Sequence, residues 1–182
     1  MIVGEGGTGK SCITIRFLTG KFDTREFNPT LLDSYIKDVE IENISRTLQI
    51  LDTSGQEQFE NIKNQNVNES DGFIVVFSID SKDSYESCFS MFNDIVKIRK
   101  TQVFPVVFVG NKIDLEDKRQ LTKHDIECKM REHGFQYIET SAKNDINVSE
   151  TFQMIIKIID EHRNVLDLEK KKEKKKSKCI MI

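Results

Sequence analysis

No run of apolar residues in this chain approaches the roughly 20 that a bilayer-spanning helix needs, which excludes such a span. Cysteine is sparse. Cys12, Cys88, Cys128 and Cys179 lie far apart and at no metal-ligand spacing. They read as reduced thiols of a cytosolic protein, the first three as packing residues. His124, His133 and His162 stand at no ligand spacing either, so none is assigned a catalytic role. There is no internal repeat. The chain opens almost directly into a glycine-rich loop, so no secretory signal is expected. What remains is ordinary for one soluble domain: 182 residues, 37% hydrophobic and 31% charged, enough to bury a real core.

The net charge of −3 hides a division. Residues 170–178 carry seven lysines and one glutamate, about +6, which leaves 20 basic and 29 acidic residues, about −9, on the rest. A basic tail on an acidic body points to a surface-seeking tail and away from a nucleic-acid-binding domain. This lysine tail is the only low-complexity segment and is expected to be disordered.

The most informative stretch is Gly4-Glu5-Gly6-Gly7-Thr8-Gly9-Lys10-Ser11, a G-x-x-x-x-G-K-S pattern. Glycines let the backbone turn tightly with its N–H groups pointing inward at phosphate oxygens, and the helix that follows adds its positive end. Lys10 brings a mobile cation to the phosphates, and the Ser11 hydroxyl can ligate Mg²⁺. Context agrees. Ile2 and Val3 read as the end of a strand; Ile13, Ile15, Phe17 and Leu18 read as the helix after the loop.

Strand and helix alternate along the chain. Strands are expected at 2–3, 35–41, 47–51, 73–79, 104–109 and 136–139, and helices at 10–20, 83–100, 122–133 and 146–163. The continuous apolar runs at 73–77 and 106–109 fit central parallel strands covered on both faces. The partly alternating 35–41 segment reads as an edge hairpin strand with its turn at 43–45. Val148, Phe152, Ile155, Ile156 and Ile159 fall at helical spacing and should be core. Thr122 and Asp145 are candidate N-caps, and Gly134 a candidate stop. The polar 53–70 segment predicts a loop with a short helix. This order implies an α/β fold of the P-loop NTPase type: a single doubly wound, mostly parallel, six-stranded sheet flanked by about five helices. Ligands of such sheets bind at the carboxyl ends of strands, and every motif below follows an expected strand.

Asp52-Thr53-Ser54-Gly55-Gln56-Glu57 follows one of them. Asp52 can hold Mg²⁺ through its water shell. Gly55 can bring a backbone N–H to a terminal phosphate, and Gln56 can orient an attacking water. Asn111-Lys112-Ile113-Asp114 follows another. A carboxylate pairs with two adjacent donors, which guanine offers at N1 and N2 and adenine does not, so Asp114 can select guanine. The Lys112 stem can lie over the base while Asn111 braces the loop. Thr140-Ser141-Ala142-Lys143 follows the last strand and could offer the Ala142 N–H to guanine O6. Thr30, in a polar stretch after the first helix, could join the Mg²⁺ shell while a γ-phosphate is present, a conditional latch. Phe22 could pack edge-on to the base; a core contact fits it equally.

Taken with Pro29-Thr30, Asp33-Ser34-Tyr35 and Tyr137-Ile138-Glu139-Thr140-Ser141-Ala142-Lys143, these motifs make the chain resemble the Ras-family small GTPases over essentially its whole length. The resemblance implies a GTPase domain over 1–165 and a polybasic tail over 166–182. It implies a switch that binds GTP and GDP with Mg²⁺ and hydrolyses GTP slowly alone. Exchange factors, GTPase-activating proteins and effectors would serve it, with the protein itself a monomer. It assigns Gln56, Lys10 and Gly55 to catalysis and Ser11, Thr30 and Asp52 to the metal. It adds Cys12 to the nucleotide contacts. It makes Phe27, Asn28, Pro29, Thr30, Leu31, Leu32, Asp33, Ser34 and Tyr35 the effector segment.

Departures from the family pattern accompany the match. Ser54 stands where alanine is usual, and Leu31-Leu32 replaces isoleucine-glutamate. Only three residues precede Gly4, where the family usually has several more, so the nucleotide-free protein is expected to unfold easily. The final Cys179-Ile180-Met181-Ile182 reads as a prenylation box on Cys179, with 170–178 as the second, electrostatic membrane signal. A plasma-membrane location on the cytoplasmic face follows from that pairing. Two rivals are a GTP-binding scaffold with little hydrolysis and an ATP-using phosphotransferase; Asp114 argues against the second.

Overall fold

The computed structural model describes residues 1–22, 32–53 and 64–176, with the side chains of 32 and 169–176 left aside. In chain order the elements are β1 (Ile2–Gly4), α1 (Lys10–Thr19), β2 (Leu32–Ile41), β3 (Ile44–Thr53), α2 (Asn64–Glu69), β4 (Phe73–Ser78), α3 (Lys82–Arg99), β5 (Val106–Asn111), a 3₁₀ helix (Ile113–Lys118), α4 (Lys123–Glu132), β6 (Gln136–Glu139) and α5 (Val148–Lys176). The six strands form one sheet in the order β2-β3-β1-β4-β5-β6. β2 and β3 pair antiparallel, and the other neighbours pair parallel.

The apolar runs explain the layering. Successive strand residues point to opposite faces, so the unbroken Phe73–Ser78 strand feeds two cores at once. Phe73, Val75 and Phe77 pack with Val3, Phe108, Cys88, Ile95, Ile126 and Met130 on one face. Ile74 and Val76 pack with Ile2, Ile13, Val107, Val109 and the α5 residues Val148, Phe152, Ile155 and Ile156 on the other. Each fully buried aliphatic or aromatic side chain contributes about 1.5–3 kcal/mol of transfer free energy, which holds α1 and α5 to one face and α3 and α4 to the other. β1 lies between β3 and β4 at the point where strand order reverses, so its carboxyl end opens onto the crevice where open α/β sheets take ligands.

Several boundaries differ from expectation, each for a local reason. The β2–β3 turn is not 43–45 but Glu42-Asn43, both left-handed at φ 53° and 62°, and Ile44 is the first residue of β3, paired with Ile41. Left-handed two-residue turns match the strand twist, so the hairpin tightens by one residue. β2 accordingly starts at Leu32 and β3 runs through Thr53. β5 begins at Val106, not 104, because Pro105 has no N–H to give to a ladder; Phe104 is still buried. Thr122 does cap α4, accepting from the Asp125 N–H, and Gly134 follows it at φ 70°. Asp145 caps nothing: it is left-handed at φ 57°, and α5 starts at Val148, after Asn147. α5 also continues to Lys176, so the stretch from 166 to 176 is helical where disorder was the expectation. Lysine, glutamate and leucine are good helix formers, and extending a docked helix needs no new nucleus. Among the described residues no helix is long and apolar enough to cross a membrane.

Candidate functional site

The β1–α1 loop is shaped by close approach. A Cβ on Gly4 would sit 2.1 Å from the Val76 carbonyl oxygen, and one on Gly9, at φ 92°, would sit 2.3 Å from Asn111 Nδ2. Both positions therefore require glycine, one against β4 and one against the end of β5. The Thr8 hydroxyl donates to the Glu5 carbonyl at 2.9 Å and closes the turn. Lys10, 5% exposed, folds back across the loop and donates from Nζ to the carbonyls of Gly4 and Glu5 at 2.8 and 2.9 Å. Burial lowers its pKa to about 8, against the opposing pull of Asp52 and Glu5. An ammonium held by two neutral carbonyls is poised to exchange them for an anion.

Asp52, one residue before the end of β3, lies beside this loop with no exposure to solvent. Neither carboxylate oxygen has a donor at hydrogen-bonding geometry among the described residues. Burial pushes its pKa up, while the nearby Ser11 hydroxyl and Lys10 ammonium pull it down. A buried carboxylate facing the Ser11 hydroxyl at the start of a helix is the donor set a hard dication takes through oxygen. The residues present thus fit Mg²⁺.

Asn111 is the hinge pin of the site. It is 1% exposed at the end of β5. Its Nδ2 donates to the Thr8 carbonyl of the phosphate loop at 2.9 Å. Its Oδ1 accepts from the Thr140 hydroxyl at 3.0 Å and from the Ala142 N–H at 3.3 Å. One side-chain amide therefore joins three strand ends. Asp114 Oδ1 accepts from the Ser141 hydroxyl at 2.6 Å, and Ser141 also accepts from the Asn144 N–H at 3.1 Å. Lys112 is left-handed at φ 68° and lies 3.9 Å from Asp80 Oδ1. Arg119 holds the two base-side loops together. It forks onto Glu139 at 2.9 and 3.2 Å and binds Glu116 at 2.7 Å, tying the 3₁₀ helix to the end of β6.

Gly4, Glu5, Gly6, Gly7, Thr8, Gly9, Asp52, Asn111, Lys112, Ser141, Ala142 and Lys143 fall on β1, β3, β5 and β6 ends or the loops after them, with Lys10 and Ser11 in the first turn of α1 and Asp114 in the 3₁₀ helix after β5. Cys12 is half-buried in the first turn of α1, where burial raises its thiol pKa. Phe22 packs against the α5-side core and lies under the Arg16 guanidinium, 5.7 Å from ring centroid to Cζ. Asp33, Ser34 and Tyr35 lie on β2, with the Tyr35 hydroxyl donating to Asp33 at 3.3 Å. Phe27, Asn28, Pro29, Thr30 and Leu31, together with Ser54, Gly55, Gln56 and Cys179, lie outside the described residues. Arg119 and Arg16 escape a motif search, and Thr140, which the motif includes, gains a role on Asn111 that its spacing does not give. The one sequence signal of the two arginines is a charged residue inside an otherwise apolar or motif-bearing stretch.

A cavity of about 590 Å³ lies elsewhere, between β3, the start of β4 and α5 at the amino-terminal end of β1, and holds none of these residues except through the sheet itself.

A phosphate loop between the first strand and helix, a buried metal-type carboxylate and a base-side carboxylate, all at strand carboxyl ends, define a nucleotide-binding protein of the P-loop NTPase fold. Comparison with known proteins narrows this class. The Ras family model matches residues 1–161, and the chain belongs to that family of small GTPases. It is 38% identical over 159 residues to Ras-like protein 1 of Saccharomyces cerevisiae, covering 87% of this chain and 51% of that protein. It is 36% identical over 163 residues to Ras-related protein R-Ras of Mus musculus, covering 90% and 74%. It is 37% identical over 159 residues to a Ras-like protein of Laccaria bicolor, covering 87% and 76%. The chain therefore spans about half of the yeast relative and three quarters of the others.

Proposed function

We propose that this chain is a membrane-tethered switch that cycles between GDP and GTP and hydrolyses GTP by in-line attack of water. The observation that carries the reading is the Asn111 amide, which ties the Thr8 carbonyl to Thr140 and Ala142 and so fixes the phosphate and base halves of one pocket. Gly4-to-Ser11 backbone N–H groups cradle the phosphates. Lys10 leaves its two carbonyls for the β- and γ-oxygens. Asp114 takes the guanine N1 and N2 donors, and the Ala142 N–H meets O6. Ser11, Asp52 and Thr30 would hold Mg²⁺, which when bound neutralises charge on the phosphate oxygens. Gln56 orients the water, with Gly55 at the terminal phosphate.

Single-turnover hydrolysis by purified protein tests this. An activating partner's arginine should speed turnover by about 10³–10⁵-fold, and Gln56→Leu should lose most of that gain. Tight GTP binding with no stimulated turnover would leave a non-hydrolysing scaffold as the better description.

The Lys10 ammonium makes a pH prediction. Its pKa is about 8 in the free protein. Phosphate oxygens favour the charged form and raise it. Binding must then take up protons in a window around and above pH 8, with none at pH 6.5. Calorimetry of GDP binding at pH 8, in buffers of differing ionisation enthalpy, should report about half a proton taken up. Equal uptake at both pH values would remove Lys10 from the phosphates.

The membrane tether rests on Cys179 and the seven lysines of 170–178. A single prenyl chain anchors marginally, and each lysine near an anionic leaflet adds up to about 1 kcal/mol. Cys179→Ser should release the protein from membranes, and raised salt should weaken the binding of the unaltered chain. Membrane retention unchanged by the substitution would refute the anchor.

A further inference from the structure

Arg16 sits midway along α1 and is used by none of the roles above. Its guanidinium spreads over three backbone carbonyls. Nε donates to Ala142 O at 2.8 Å, Nη2 to Lys143 O at 2.6 Å and Nη1 to Gly20 O at 2.9 Å. The Gly20 N–H in turn donates to the Arg16 carbonyl at 2.8 Å, so the helix end is clamped from both directions. The Phe22 ring lies against the same guanidinium. One side chain thus touches the base loop after β6, the end of the helix that begins at Lys10, and the first residues beyond that helix. The sequence separation is 126 residues to Ala142, so nothing local requires the contact.

The grip falls at a consequential point. Ala142 has its N–H against Asn111 Oδ1 and its carbonyl against Arg16 Nε. Both ends of this buried residue are therefore fixed, one from β5 and one from α1. A loop with only the Asn111 contact could swing away from α1 and carry its N–H off the base edge. With the Arg16 fork in place that swing must break two charge-assisted hydrogen bonds. Lysine could not substitute, because a single ammonium cannot span three carbonyls in a plane.

We propose that Arg16 is a positioning residue that holds the Ala142–Lys143 backbone against the guanine edge and thereby sets how fast nucleotide leaves. The proposal rests on the reading that guanine lies between Asp114 and Ala142. It predicts a rate and a selectivity effect together, since the backbone so held carries the Ala142 N–H, which leaves Asn111 Oδ1 for an oxygen that guanine has and adenine lacks.

The test compares the intact chain with Arg16→Ala, Arg16→Lys and Asp114→Asn, using a fluorescent GDP and unlabelled GDP and ADP. Arg16→Ala should raise the GDP off-rate about tenfold or more, as loss of two charge-assisted hydrogen bonds gives, and should narrow the preference for GDP over ADP. Arg16→Lys should fall between it and the unaltered chain. Should Arg16→Ala fail to fold, the lysine variant decides by the same two readouts. An off-rate within about twofold of the unaltered chain overturns the proposal. So does a faster off-rate with the GDP-to-ADP preference intact, which would make Arg16 a support for the fold alone. Asp114→Asn separates the premises: guanine preference surviving that change removes the base reading itself, whatever Arg16 does.

Discussion

Replacing Asp114 by asparagine should cost this protein most of its grip on guanine and redirect it to xanthine nucleotides. The carboxylate is already aimed. Ser141 donates to Oδ1 at 2.6 Å, Lys112 turns the chain through a left-handed φ of 68° just before it, and Arg119 pins the 3₁₀ helix that carries it to Glu139. In the proposed pocket an acceptor pair so fixed would meet the two adjacent donors of guanine with no reordering. Asparagine keeps the shape and can keep the Ser141 bond, but it offers one acceptor and one donor. The donor then opposes guanine N2–H, while the C2 carbonyl of xanthine accepts from it. Losing a hydrogen bond to a charged group costs about 1.5–3 kcal/mol, so GDP affinity should fall roughly 10-fold to over 100-fold. Titration with guanosine and xanthosine diphosphates measures the switch. Undiminished guanine preference would mean the base is read elsewhere.

The site was legible where chemistry dictates residue type. A phosphate loop needs glycine where a Cβ would meet the Val76 carbonyl at 2.1 Å or the Asn111 side-chain amide at 2.3 Å, and the motif marks Gly4 and Gly9. The doubly apolar β4 and the α5 stripe were equally plain, because burial on two faces and on one helical face leave different periods. Val148, Phe152, Ile155 and Ile156 are all core. What escaped depends on distance in the chain or on weak local preferences. The reach of Asn111 to Thr8, and of Arg16 to Ala142, spans 103 and 126 residues and leaves no spacing to read. The hairpin turn at Glu42-Asn43 contains no glycine, so the left-handed pair carried little signal. The continuation of α5 to Lys176 sets helix propensity against repulsion among like charges, and composition alone weighs the second too heavily.

The same logic gives Asp52 an effect of opposite sign in two states of the protein. Without an ion, its carboxylate is fully buried and lacks donors at hydrogen-bonding geometry, with Ser11 and Lys10 offsetting the charge in part. Its pKa is raised, so the folded state binds its proton more readily than the unfolded state does. The resulting destabilisation is present above the folded pKa and is relieved as pH falls through it toward the ordinary value of 3.8. Asp52→Asn removes part of that cost at neutral pH. An unpartnered buried amide costs about 1–3 kcal/mol and a charged group more, so only the difference is relieved, and each kcal/mol of it is worth about 2–4 °C for a chain of this size. Nucleotide-free Asp52→Asn protein should therefore melt a few degrees higher than the unaltered chain. Its Lys10 also loses the largest charge opposing desolvation, so that ammonium should titrate below its present value of about 8. With GDP and Mg²⁺ the order should reverse, because in the proposed site the carboxylate that burdens the empty fold would be an oxygen donor to the ion. Mg²⁺ should slow GDP release from the unaltered chain and leave the variant's release almost unchanged. Thermal melts without nucleotide, paired with release rates in Mg²⁺ and in chelator, read both signs on one preparation. A variant that melts lower when empty and still responds fully to Mg²⁺ would place the ion on other oxygens and make Asp52 a structural residue.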